Sequence, residues 1–401
     1  METFHLNAEK KEQVSEMVWA KNNSIRFGKV KNLMLWNYSI NILHKLKLHE
    51  NNMMEKLSLN IDGKEYLSEI LCIADNSICL EKVKKLELFN HSINILPKLK
   101  LREEGDVEVL WLDAREMEHV SEIIHENSNT ICVENFKILV LCNYSVNLLR
   151  KLVLHKEAEL LSMGADKKEQ VSRMTCAENN SIKLGKVKRL WLWFYAINIL
   201  QKLVLHGENA MEELSLYADK EEHVSEVVCM ENNIQLGKVK RLRLESFAIS
   251  ILPKLVLHEE NVMEELTLDF NETDHVSEII RAENSSILFG RVKNLVLELF
   301  AINILPKLKL HEENEMEEFC LSADKEEYVS EAIFGENNSI WLGKVKNMEL
   351  ELFAINILPK LVLHEENVME AFCLSAGEKE HASEAICAEN NSICLGKVKK
   401  L

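Results

Sequence analysis

At 401 residues, with 47% hydrophobic and 28% charged side chains, the chain has enough apolar material to fold, which excludes a disordered polypeptide. Its 65 acidic residues outnumber 48 basic ones for a net charge of −17, so nucleic acid and anionic membrane would meet repulsion over most of the surface. No apolar run reaches the roughly 18 residues of a membrane span, and Met1-Glu2-Thr3-Phe4-His5 is not a secretory signal; a cytoplasmic protein is expected.

Reading along the chain, Val30-Lys-Asn-Leu33-Met-Leu35-Trp-Asn-Tyr38-Ser-Ile40 returns at Val83, Phe136, Val187, Val239, Val292, Val345 and Val398, in steps of 53, 53, 51, 52, 53, 53 and 53 residues. A fixed period of this size means stacked modules rather than one closed core. Within each period the same opening returns 24 residues later, as at Met54-Leu57-Leu59 and Met263-Leu266-Leu268, and a 29-residue unit follows. Apolar residues at every third and then second position fit a short parallel strand that buries one side, and both lengths lie in the leucine-rich range. The expectation is an α/β solenoid, a leucine-rich-repeat horseshoe with a parallel concave sheet and short helices or extended segments on the convex side. Residues 1–401 would form one array of about fifteen units, alternating 24 and 29 residues.

The two units should return differently. In the long one, Asp219 and Glu222 have capping-box spacing and Val224, Val227 and Val228 form an apolar stripe, which predicts a short helix. In the short one, Ile302-Asn-Ile304-Leu305-Pro306 favours an extended segment, because proline and β-branched residues disfavour helix. A competing register would make that segment a strand of the inner sheet, at spacings too short for a full coil.

The outward positions of L-x-x-L-x-L would face the concave side. They are mostly basic in the short units (Lys188 and Arg189, Lys240 and Arg241) and mostly acidic in the long ones (Glu212, Glu264). Two readings compete: a cross-strand charge ladder that fixes pairing, and a charged docking surface. Trp191, Trp193 and Arg243 are the expected contact residues, since Trp and Arg dominate interface energetics, although aromatic packing on adjacent coils would account for the tryptophans as well.

Neither cofactor, metal nor catalytic chemistry is expected. Histidines recur in columns (His49, His155, His206, His258, His311, His364; and His119, His223, His275, His381), but neighbours within a column should lie ~10 Å apart, too far to share one zinc. The ten cysteines contain no CxxC pair, so free thiols are expected. No phosphate-loop, dinucleotide or nucleophile-elbow pattern occurs.

Phe27-Gly-Lys-Val30-Lys-Asn-Leu33-Met-Leu35, Leu305-Pro-Lys-Leu308 and Met263-Glu-Glu-Leu266 resemble the irregular leucine-rich repeats of plant intracellular disease-resistance receptors, which join a nucleotide-binding domain to a leucine-rich tail. That resemblance implies a tail that senses a pathogen effector or a guarded host protein in a defence response. The coiled-coil and nucleotide-binding segments of that family are absent from the sequence, so nucleotide binding does not carry over. An array cut from a receptor, a truncated paralogue and the substrate arm of a ubiquitin ligase are the alternatives. Met1 to Leu6 already fit a strand, and Leu401 falls in an unfinished one, so uncapped ends and end-to-end association are expected.

Overall fold

The computed structural model describes residues 2–26, 28–47, 53–79, 83–100, 107–125, 131–133, 136–154, 157–204, 210–231, 233–258, 260–270, 277–281, 283–334, 336–383, 385 and 397–399. His49, His155, His206, His275, Cys387, Cys394 and Leu401 lie outside the described residues. The chain divides into two compact units, Met1–Trp191 with Lys202–Val204, and Leu192–Gln201 with Leu205–Leu401.

In the first unit the strands Thr3–Ala8, Asn32–Asn37, Met54–Ile61, Val83–Asn90, Val109–Ala114, Ile138–Asn143 and Ala158–Ala165 pair in parallel, in chain order. One register line runs Phe4, Leu33, Leu57, Leu86, Leu110, Leu139, Leu161. The second unit repeats the arrangement through Ala210–Ala218, Ile234–Ser246, Val262–Phe270, Ile287–Leu299, Glu315–Ala323, Ile340–Leu352 and Ala371–Ser375. Its register line is Leu214, Leu242, Leu266, Leu295, Phe319, Met348, Phe372. Each 53-residue period therefore lays down two neighbouring strands, as the leucine spacing requires. Side-chain alternation does the rest: Leu33 and Leu35 are buried while Asn32, Met34 and Trp36 are only half-buried. A fully buried leucine is worth ~1.5–3 kcal/mol, and every one of these strands except Thr3–Ala8 and Ala371–Ser375 supplies at least one.

The long-unit return is helical, as expected, with different detail. A three-residue 3-10 turn, Glu221–His223, precedes one α-turn, Ser225–Val228; Val224 and Val227 are buried and Val228 half-buried. The box between Asp219 and Glu222 does not form, because the turn begins after Lys220. The residue that closes it reaches back instead: the Lys10 N–H donates to Gln13 Oε1 at 3.0 Å, that of Lys167 to Gln170 Oε1 at 3.0 Å and that of Glu116 to His119 Nδ1 at 3.1 Å. Asp219 lies 3.0 Å from the His223 ring.

The short-unit return overturns the extended expectation. Phe300–Lys307 is a 3-10 helix, and only Leu308–Leu310 is extended. Proline is compatible with this turn because its fixed φ matches the 3-10 backbone; Pro97, Pro253, Pro306 and Pro359 all occupy the same place near its end. The short strand does not enter the main run: it pairs with the start of Ile287–Leu299, Ile287 opposite Leu308. Each such helix among the described residues is entered through a residue at φ near +55°, with ψ near −130° at Asn37, Asn90, Asn143, Ser246, Leu299 and Leu352. Asn37, Asn90 and Asn143 do this in the first unit; Phe194, Ser246, Leu299 and Leu352 do it in the second. For Leu299 and Leu352 that backbone costs on the order of 1–3 kcal/mol, offset by the helix it permits.

Buried asparagines stitch successive coils. In the first unit Asn41 Nδ2 donates to Tyr66 O at 2.8 Å while its Oδ1 accepts the Ile70 N–H at 3.0 Å, and Asn147 Nδ2 donates to Gln170 O at 2.7 Å. In the second unit Asn303 Oδ1 accepts the Ala332 N–H at 3.1 Å. A further set in the second unit, Asn261, Asn314 and Asn367, accepts the backbone N–H groups of Val239, Val292 and Val345 at 2.8–2.9 Å. These amides satisfy buried donors that the irregular turns leave without a backbone partner.

Candidate protein-binding face

The solvent side of each sheet is built from the positions between the buried leucines. At the first outward position lysine and glutamate alternate from strand to strand: Lys31, Glu55, Lys84, Glu108, Lys137, Glu159 in the first unit and Glu212, Lys240, Glu264, Lys293, Glu317, Lys346, Glu370 in the second. Part of this row is paired, with Lys137 3.1 Å from Glu108 and Lys240 3.5 Å from Glu264. At the next position Arg241 lies 3.7 Å from Glu213. Lys188 reaches Glu157 at 3.6 Å, and Arg189 Nε donates to the Glu159 carbonyl at 3.3 Å. The Lys137–Glu108, Lys240–Glu264 and Arg241–Glu213 pairs realise the ladder reading, whereas Lys188 pairs outside the row and Arg189 bonds a backbone carbonyl. As exposed or half-exposed pairs, the ion pairs among them are each worth ~0–1 kcal/mol.

Trp191 belongs to the first unit, Trp193 and Arg243 to the second. Trp193 is 37% exposed, and Phe194 beside it packs edge-on against Tyr217. Arg243, exposed, is paired with Glu245 on its own strand.

The outward positions nearer the strand ends differ between units. In the first they carry His5, Met34, Ser58, Glu87, Trp111, Val140 and Ser162 in one column, and Asn7, Trp36, Asn60, Phe89, Asp113 and Cys142 in the next. Glu87 is buried there, held by Lys56 at 2.7 Å and Lys85 at 2.8 Å; burial pushes its carboxyl upward, but the two ammonium groups outweigh it and hold it below the usual range. The Lys85 ammonium also lies 4.9 Å from the Trp111 ring centre.

The second unit concentrates acid instead. Glu245, Asp269, Glu298, Ser322 and Glu351 stand opposite one another on five successive strands. Glu298, Glu349 and Glu351, with Val296, Cys320 and Ser322, line a shallow depression of about 130 Å³. Among the described residues no lysine or arginine pairs with Asp269, Glu298 or Glu349. Like charges opposite each other on neighbouring strands destabilise a sheet, so this column costs stability in the free protein. Burial, then the carboxylates of Glu349, Glu318 and Glu351, push the Cys320 thiol up to about 11, so it is protonated at neutral pH. The described cysteines Cys72, Cys142, Cys176, Cys229, Cys320 and Cys373 are free. No helix among the described residues is long and apolar enough to cross a membrane.

Comparison with protein-family models, with curated proteins and with solved structures finds no match. The chain is an α/β solenoid of leucine-rich coils. What it presents to solvent therefore has to be read from its own side chains. Two features of the site escaped the sequence reading: the acidic column, which lies five residues beyond the Lys/Glu row, and a contact between two histidine-bearing slots.

Proposed function

We propose that the protein is a non-catalytic, cytoplasmic protein-binding module that takes its partner on the solvent side of the sheet. The observation that carries this reading is the column of repelling carboxylates Glu245, Asp269, Glu298 and Glu351, in which Arg243 pairs with Glu245 but, among the described residues, no lysine or arginine pairs with the neighbouring Asp269 and Glu298. A basic, extended protein segment would relieve that repulsion. On the second unit, Trp193, Arg243, Lys240, Arg241, Glu212 and Glu264 are the contact residues we assign to the same role, and on the first unit we assign it to Trp191, Lys188 and Arg189. Long-range steering by so acidic a chain favours the same class of partner. By resemblance of its repeat motifs, the biological role we propose is that of the sensing tail of a plant disease-resistance receptor, whose partner is a pathogen effector or a host protein; an adaptor array, such as a ubiquitin-ligase substrate arm, is the second reading.

The test is a titration of the whole chain with a lysine- and arginine-rich peptide and with an acidic peptide of equal length. The basic peptide should bind, more weakly as salt rises, and Asp269→Asn/Glu298→Gln/Glu351→Gln should lower its affinity by about tenfold or more, since several close charge pairs are lost. Equal binding of both peptides, or an unaffected triple variant, would remove this face.

A further inference from the structure

The 3-10 helix His91–Lys98 and the 3-10 turn Met117–His119 belong to successive coils of the first unit. They bring His91 against His119, ring centres 4.5 Å apart and inclined by 72°. The same pair of slots recurs as Tyr38 with Tyr66, Tyr195 with His223, Phe300 with Tyr328 and Phe353 with His381, at 4.4–4.6 Å. In the first slot every other copy is Tyr or Phe: Tyr38, Tyr144, Tyr195, Phe247, Phe300 and Phe353. An aromatic ring thus satisfies the packing, and the imidazole of His91 adds a lone pair that packing does not need.

Three observations converge there. His91 is 2% exposed, and among the described residues its Nδ1 has no hydrogen-bond partner, an unusual state for a buried nitrogen. His119 is 6% exposed. Glu118 is exposed, and one ligand atom from each of His91, Glu118 and His119 lies within 4.8 Å of the others. Burial holds both imidazoles below their ordinary pKa, so both are neutral at pH 7, the form that ligates a metal.

We propose that His91, His119 and Glu118 form a binding site for a borderline divalent transition ion of the Zn²⁺ class, which clamps two successive coils of the first unit. Two imidazoles and a carboxylate suit such an ion, and water completes a tetrahedral shell. Bonds of ~2.0–2.2 Å require the three ligand atoms to close further. The exposed Glu118 side chain supplies most of that movement. His119 Nδ1 accepts the Glu116 N–H at 3.1 Å, so ligation through that nitrogen hands this partly exposed N–H to water, a loss on the order of 1 kcal/mol against a much larger coordination energy. The three residues come from three slots of the repeat, and spacing within any one slot gives no sign of the cluster.

The repeat itself supplies substitutions that keep the fold. His91→Phe installs the residue of the Phe300 and Phe353 coils, and His119→Gln installs that of Gln13 and Gln170, whose Oε1 also accepts the turn's N–H. Chelator-stripped full-length protein is titrated with Zn²⁺ by calorimetry and with Co²⁺ by visible absorption. The wild type should bind one equivalent with a tetrahedral nitrogen–oxygen Co²⁺ spectrum and melt at a higher temperature when loaded. Each variant, and Glu118→Gln on the exposed carboxylate, should lower the affinity by at least about tenfold, the least expected where even a supporting residue of a metal site is lost. Absence of binding by the wild type, unchanged affinity in the variants, or a thiolate-type Co²⁺ spectrum would overturn the site; if one variant fails to fold, the other two decide.

Discussion

Asn314→Ala should destabilise the second unit by about 2–4 kcal/mol, because it leaves two buried backbone groups without partners at ~1–3 kcal/mol each. Asn314 is 1% exposed; its Oδ1 accepts the Val292 N–H at 2.8 Å, and its Nδ2 donates to the Leu342 carbonyl at 3.2 Å. Gly343→Ala attacks the same junction from the other side, since Gly343 sits at φ +80° and an added Cβ would collide with the Asn314 carbonyl oxygen. Glu313→Ala, one residue away, removes a 2.7 Å pair with Arg291 on the surface and should change stability by no more than about 0.5 kcal/mol. Urea titration of the three variants, with amide exchange read at Val292, checks the order. An Asn314→Ala protein as stable as Glu313→Ala would mean that the amide is not a structural tie.

The first unit should lose stability in mild acid through His44. Burial, aided by the Lys45 charge and opposed by Glu69, depresses its pKa from 6.5 to about 4, and among the described residues its buried Nδ1 has no hydrogen-bond partner. Glu69 itself is engaged by Lys11 at 2.8 Å, so it offers the imidazolium little relief. Because the folded pKa lies below the unfolded one, the unfolded chain binds the extra proton. The stabilisation is complete above about pH 6.5 and is lost as the pH falls toward 4, at most ~3 kcal/mol by linkage. Four other coils carry proline in this slot, Pro97, Pro253, Pro306 and Pro359, and a fifth carries Gln201. His44→Pro and His44→Gln should therefore fold and flatten this part of the pH profile. Melting curves between pH 4 and 7 measure it; a variant profile parallel to that of the wild type would assign the acid loss to other groups.

The strand frame was legible because burying one side of a short strand forces leucine to every second position, so Leu33 with Leu35 and Leu57 with Leu59 announce two coils per period. The convex side was less so. Ile302-Asn-Ile304-Leu305-Pro306 carries residues that disfavour an α-helix, yet the tighter 3-10 turn tolerates them, and local propensity does not separate that turn from an extended run. Asn303 lies within the expected extended segment and Asn314 carries no sequence signal at all, because their amides become ties only when a neighbouring coil stacks against them. For the candidate face, Lys240, Glu264 and their neighbours showed alternation at the first outward position, whereas Glu245, Asp269, Glu298 and Glu351 become a column only once the register is fixed. His91 and His119 escaped for the same reason: they stand in different slots, and only stacking the coils joins them.

Disulfide trapping tests the two-coils-per-period register most directly. Val296 stands opposite Cys320 on the adjacent strand, and Cys320 stands opposite Glu349 on the next, which puts Val296 and Glu349 ~10 Å apart. A disulfide needs Cα atoms roughly 4.4–6.8 Å apart. Under oxidation, Val296→Cys should cross-link to the native Cys320, and Val296→Cys/Glu349→Cys in a Cys320→Ser background should yield no 296–349 bridge by peptide mapping. A 296–349 bridge, with none to Cys320, would mean one coil per 53 residues and would contradict the fold described above.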